Sequence, residues 1–349
     1  MSQIQQIADL LRSLTEAPGV SGQENAAAAV AAQILSQYMP VRRDALGNVI
    51  GEQAGQGPHI LLDAHTDQIG MVVTAVDGDG FLKLASVGAS DARVMAASEV
   101  TVWGKEPLYG VITSLPPHLT RPEDKGKAKD FTDLAVDIGF SKERAEALVQ
   151  PGDRVSLRSC FLPLAGDRVS GTAFDDRAGV AVLLRCVELL HEIDYKGRLS
   201  VLFSVQEEIG GSGAATGGFA LATSGDAVDE ALAVDVSFAF APGIPKESCG
   251  ELGKGPMIGF APVLDAAISR ALENCAKERG LPYQLEVMGG KTSTNADLLQ
   301  IAGRGIRSGL LSVPLRNMHT GVEILDLKDL ENTAKLLAVY IQEKGANHA

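Results

Sequence analysis

The chain has 349 residues, 45% of them hydrophobic and 21% charged, with a formal net charge of −13. At roughly 150 residues per domain, this is length for about two domains of ordinary soluble-enzyme composition; the acidic balance excludes the basic footprint of a nucleic-acid binder or of an anionic membrane surface. No apolar stretch is long enough to span a bilayer, and Cys160, Cys186, Cys249 and Cys275 are scattered without a Cys-x-x-Cys pair, so free thiols in a reducing cytoplasm are expected.

In chain order, Ile4, Ile7, Leu10, Leu11 and Leu14 share one face of an N-terminal helix that lacks the basic and apolar segments of a secretory signal. Ser21-Gly22-Gln23-Glu24 has capping-box spacing and predicts an alanine-rich helix stopping before Pro40. After a polar turn at Asp44 to Asn48, Ile60 to Ala64 predicts a short buried strand that ends in His65-Thr66-Asp67. From Val72 the texture changes to short β-type runs at 72–76, 81–84, 100–103, 110–113 and 154–157. Asp77-Gly78-Asp79-Gly80 gives a hairpin signal between the first two. A Pro- and charge-rich stretch from Pro116 to Asp130, including Lys125-Gly126-Lys127, predicts an exposed loop.

Beyond Leu164 an alternating pattern returns. Asp175-Asp176-Arg177 opens a helix over 178–190, and Leu199 to Val205 is a strand ending at Glu207 and Glu208. Ala231 to Val234 is a strand ending in Asp235, and Leu264 to Arg279 is a helix. Leu310 to Val313 is the last strand, leading to His319, and an amphipathic helix over 327–343 closes the chain. Strands alternating with helices imply an α/β fold, a mixed and mainly parallel sheet flanked by helices. The expected organisation is a catalytic α/β domain built from 1–71 and 164–349, with a small all-β domain inserted at 72–163.

Four polar clusters share one address: His65/Asp67, Glu207/Glu208, Asp235 and His319 each follow a predicted strand, where open α/β sheets form their ligand crevice. Asp175 and Asp176 sit at a helix start, which also favours a carboxylate. Singly, each has an ordinary reading as a cap, turn residue or solvated pair. His59, His118, His191 and His348 keep that reading. Together they suit two divalent ions. Zn²⁺ takes about four N or O ligands, and two histidines with three carboxylates suffice only if one carboxylate is shared and water completes the coordination. His65 and Asp67, two residues apart, face the same way, so Asp67 is placed to accept from the other imidazole nitrogen. Spacing does not choose between Asp175 and Asp176 as the shared carboxylate.

The motifs His65-Thr66-Asp67, Gly171-Thr172-Ala173-Phe174-Asp175-Asp176-Arg177, Val205-Gln206-Glu207-Glu208-Ile209-Gly210 and Ala233-Val234-Asp235, followed by His319, occur in the order found in the tetrahedral, dinuclear-metal aminopeptidases. The chain resembles that family, some of whose members carry the names glutamyl aminopeptidase or cellulase, from its first loop to its last helix. The resemblance implies a zinc-exopeptidase-like fold and two Zn²⁺ or Co²⁺ ions per subunit. It implies that Asp175 bridges them, that His65 and Asp235 complete one ion's shell, and that Glu208 and His319 complete the other's. Glu207 is implied as the general base and Asp67 as the residue that orients His65. Where the family usually has Gly-Thr-Asp-Ala, this chain has Ser293-Thr294-Asn295-Ala296, which makes Thr294 and Asn295 candidates for the substrate pocket.

The expected reaction is hydrolysis of N-terminal residues from peptides. The competing readings are an aminoacylase or deacetylase on a related dinuclear scaffold, and a non-catalytic metal-binding assembly protein. A glycosidase also uses two carboxylates but leaves the histidines without a role. The resemblance further implies homo-oligomers in which the inserted domain makes dimers and dimers build a twelve-subunit tetrahedral shell.

Overall fold

A computed structural model describes residues 2–120 and 130–346. Its centre is an eight-stranded sheet whose strands run, edge to edge, 41–43, 49–53, 197–204, 56–65, 230–238, 307–315, 257–260 and 284–287. The four middle strands are mutually parallel, with Ser204 opposite His65 and Asp235 opposite Ser312. Strand 49–53 and strand 257–260 join them antiparallel, so the sheet is mixed.

Alternation along these strands divides the core. Ile60, Leu62 and Ala64 pack with Val201, Phe203 and the helices Gln3–Thr15, Phe174–Glu192, Ala266–Arg279 and Leu327–Ala346. Leu61, Leu202, Ala233 and Leu310 face the opposite way, towards helices Ser212–Ala222 and Ala296–Leu299. The period of two along a strand carries that second face out to His65, Asp235 and Ser312. The site therefore continues a core surface beyond the ends of its apolar residues.

Six strands within residues 70–157 close into a barrel, in the order 70–76, 82–87, 135–137, 107–112, 99–103 and 154–157, around a separate core of Met71, Val73, Leu82, Val100, Val102 and Val155. Asp77 forms the tip of its first hairpin by accepting from the N–H groups of Asp79 and Phe81, each at 3.0 Å. Two short helices, Ala92–Met95 and Lys142–Leu148, belong to the same segment, so it is β-rich rather than all-β. Of the loop expected after Pro116, residues Pro117–Leu119 form a single 3-10 turn. Residues 121–129, Lys125-Gly126-Lys127 among them, and His348 lie outside the described residues. No described helix is long and apolar enough to cross a membrane.

Two local expectations are corrected. The capping box at Ser21 does not form: the helix begins at Asn25, and the Ser21 hydroxyl donates to the Asp67 carboxylate at 2.6 Å. A fully buried carboxylate depends on protein donors, whereas a helix end open to solvent does not. The strand expected to stop at Val234 continues to Phe238, so Asp235 lies within it. The polar residue there marks the site rather than the strand's end.

Candidate metal centre

Each expected ligand is positioned by a different element. His65 is the last residue of its strand, and Asp235 lies on the neighbouring strand. Asp175 opens the long helix Phe174–Glu192 with non-helical backbone and a cis peptide to Asp176. Glu207 and Glu208 occupy a single 3-10 turn behind strand 197–204, and His319 follows strand 307–315.

These residues form two groups. His65, Asp175 and Asp235 place one ligand atom each within 4.8 Å of one another, as do Asp175, Glu208 and His319. Asp175 is common to both. Its Oδ1 is 3.2 Å from His65 Nε2 and its Oδ2 is 3.0 Å from His319 Nε2. Asp176 belongs to neither group; it accepts from Gly179 N at 2.9 Å and His65 N at 3.3 Å, fixing the helix start and the strand end. The geometry thus separates two aspartates that spacing left equivalent.

The electrostatics are those of an anion cluster short of cations. Burial opposes charge on His65, but the Asp175 and Asp67 carboxylates outweigh it and hold the imidazole well above its usual range. The same competition pushes His319 up to about 11 through Asp175 and Glu208. Burial raises Glu207 to about 7, aided by Glu208 and Asp175 and opposed by His65. Desolvation likewise raises Asp235, with Asp175 and Glu207 adding repulsion. Glu208 Oε1 is buried without a hydrogen-bond donor, although His319 Nε2 lies 3.3 Å away. A divalent cation in each group relieves this crowding, and imidazole with carboxylate is a donor set suited to zinc. The residues fit two metal ions.

Around them lie Asp67, which the sequence named, and Glu323, which it did not. Asp67 accepts from Ser21 Oγ, from Glu207 N at 3.0 Å and from Glu208 N at 3.1 Å, and its Oδ1 lies 3.3 Å from His65 Nδ1. Buried Glu323 accepts from the backbone N–H of Phe174 at 2.6 Å and of His319 at 3.0 Å, tying the segments of two ligands together. Its place in a short apolar strand next to the last ligand was the only available signal.

A cavity of about 360 Å³ opens onto both groups. Thr294 lies in its wall. Asn295 does not; it is buried behind, with its amide nitrogen 2.8 Å from Asp63 Oδ2 and 2.8 Å from Ser204 Oγ. Asp297 folds the loop beside it, accepting from Thr292 N at 2.9 Å and Ser293 N at 3.0 Å.

A mixed α/β sheet whose parallel middle strands bring two histidine–carboxylate groups together beside a cavity is the arrangement of a metal-dependent hydrolase. The model of the M42 glutamyl aminopeptidase family matches residues 47–336, and the chain belongs to that family. A lysyl aminopeptidase of Pyrococcus furiosus is 33% identical, covering 96% of each chain. A TET aminopeptidase from a marine sediment archaeon, Thaumarchaeota archaeon SCGC AB-539-E09, superposes with a TM-score of 0.91 at 30% identity over 100% of both chains. The TET1 peptidase of Pyrococcus horikoshii, described as assembling into a tetrahedron or a large octahedral shell, gives 0.84 at 32% identity over 95% of this chain and 98% of its own. The protein is a metal-dependent aminopeptidase with a mixed α/β fold.

Proposed function

We propose that each subunit holds two divalent cations, zinc or cobalt, and removes N-terminal residues from peptides on a zinc-exopeptidase-like scaffold. His65, Asp175 and Asp235 hold one ion; Asp175, Glu208 and His319 hold the other. The observation carrying this reading is that Asp175 directs one carboxylate oxygen at each histidine. When bound, the ions act as Lewis acids, polarising the scissile carbonyl and lowering the pKa of water.

The remaining steps belong to side chains. Glu207 belongs to neither ligand group, lines the cavity and has Oε2 4.0 Å from His65 Nε2. It takes the proton of the attacking water and passes it to the departing amine. Asp67 holds the imidazole of His65 and the backbone of the turn carrying Glu207. The surplus of carboxylates around the cavity favours a substrate with a free, protonated α-amine, which makes the enzyme an exopeptidase.

Residues 72–163 act in this reading as the dimerisation domain, and dimers build a twelve-subunit tetrahedral shell. Exposed Leu119, Tyr109 and Leu162 supply apolar surface for such contacts. Four free cysteines fit a cytoplasmic setting. The decisive experiment pairs elemental analysis with a panel of aminoacyl-anilides. Glu207→Gln retains two ions per chain while turnover falls about 10²–10⁴-fold; near-native turnover in this variant removes Glu207 from the role of base.

A further inference from the structure

Glu286, on the edge strand Gln284–Val287, lines the same cavity as the two groups. It belongs to neither ligand group. Its side chain crosses the intervening strand, which presents only Gly259 opposite it, and receives hydrogen bonds from two hydroxyls. Ser312 Oγ donates to Oε2 at 2.7 Å, and Ser237 Oγ donates to Oε1. Two neutral donors fix the carboxylate's orientation without adding a counter-charge.

Glu286 forms no ion pair among the described residues. Other buried carboxylates are treated differently: Glu230, at the start of strand 230–238, meets Arg307 at 3.0 Å and Lys344 at 2.8 Å, and Glu331, on the last helix, meets Arg185 at 3.1 Å. Among the described residues no lysine or arginine lines the cavity, while Met288 and Leu310 contribute apolar wall. An oriented carboxylate with no ion-pair partner, in a cavity with apolar wall, suits a side chain with a methylene stem and a cationic head.

The spacing agrees. Ser237, which bonds Glu286, lies two residues beyond Asp235 on one strand face, about 6–7 Å along the strand. That is close to the reach of a lysine's four-carbon stem from a backbone held beside Asp235. We infer that Glu286 is the specificity residue for the substrate's first side chain and selects a cationic residue, lysine or arginine. This rests on the aminopeptidase reading and adds the substrate class to it. An acidic first residue meets a carboxylate and no cation there.

The test is kcat/KM for the p-nitroanilides of lysine, arginine, norleucine and glutamate, using metal-replete full-length protein. The expected result is a lysine-to-norleucine ratio of tenfold or more, falling at least tenfold in Glu286→Gln. Glu286→Lys reverses the order of lysine and glutamate. A ratio near one in the native enzyme, or one that survives Glu286→Gln, overturns the assignment of Glu286 while leaving the aminopeptidase intact. Failure of the loaded protein to hydrolyse any anilide overturns the aminopeptidase reading itself. A readout independent of turnover is calorimetric binding of L-lysinol against L-norleucinol. Lysinol binds at least tenfold tighter, and Glu286→Gln removes the difference; equal binding to the native protein refutes the inference.

Discussion

Glu207 and Glu208 share a turn of 3-10 helix, and Asp67 accepts from the backbone N–H of both, yet their side chains enter different surroundings. Glu208 lies in a ligand group with His319, whereas Glu207 faces the cavity from outside both groups. Glu208→Gln is therefore expected to lower bound metal towards one ion per chain, unlike Glu207→Gln, and elemental analysis after desalting separates the two. Asn295 gives a second residue-scale prediction. Burial pushes Asp63 up to about 7, with the Asn295 amide acting in the opposite direction. Asn295→Asp replaces that donor by a second carboxyl. A carboxyl whose folded pKa exceeds its unfolded value of about 3.9 binds more protons in the folded state, so stability falls as pH rises between about 4 and 7. In urea unfolding the variant matches the native protein's stability most closely near pH 5 and falls about 1–3 kcal/mol below it by pH 8. Equal losses at both pH values refute this. The clustering of the candidate ligands was legible because strand-end histidines and carboxylates are rare in apolar company. Asp63 was not, since a lone Asp in an apolar run shows nothing of a donor more than two hundred positions away.

At the scale of elements, Arg177 joins three of them. Its buried guanidinium donates to Leu14 O and Thr66 O, each at 2.6 Å, and to Ala17 O at 3.2 Å, linking the end of the first helix to the segment that follows His65. The fit is close, because a Cβ at Gly19 would come within 2.4 Å of Arg177 Nη2. Arg177→Met leaves several buried carbonyls without donors and is expected to cost about 3–5 kcal/mol in urea unfolding; a loss below 1 kcal/mol contradicts this account. Elements were readable in the sequence where burial was one-sided and long. The strands at 60, 199 and 310 and the helices at 178, 264 and 327 carry continuous or periodic apolar residues. Strands 257–260 and 284–287 were missed because they are short and lie towards the sheet's edge. Helix Ser212–Ala222 was missed for another reason. Gly213, Gly217 and Gly218 let it pack closely, a Cβ at Gly213 coming 2.3 Å from Val205 O, and glycine erases the helical signal that packing later overrides.

For the whole molecule, the proposed shell predicts a sedimentation mass twelve times the 36.5 kDa of the chain, with dimers as the first product of dissociation. A species of single-chain mass at micromolar concentration is the contrary result. Within one subunit, Asp67 ties together stretches of chain that are far apart: the loop at Ser21, the strand end at His65 and the turn at Glu207. Seen as thermodynamic coupling, one carboxylate makes the proposed ligand and the proposed base parts of a single unit, and the energies of such parts do not add. In a double-mutant cycle, Asp67→Asn and Glu207→Gln each lower kcat, and the double variant loses far less than the product of the two factors. Additive losses would mean that the metal side and the proton-transfer side of this site work independently.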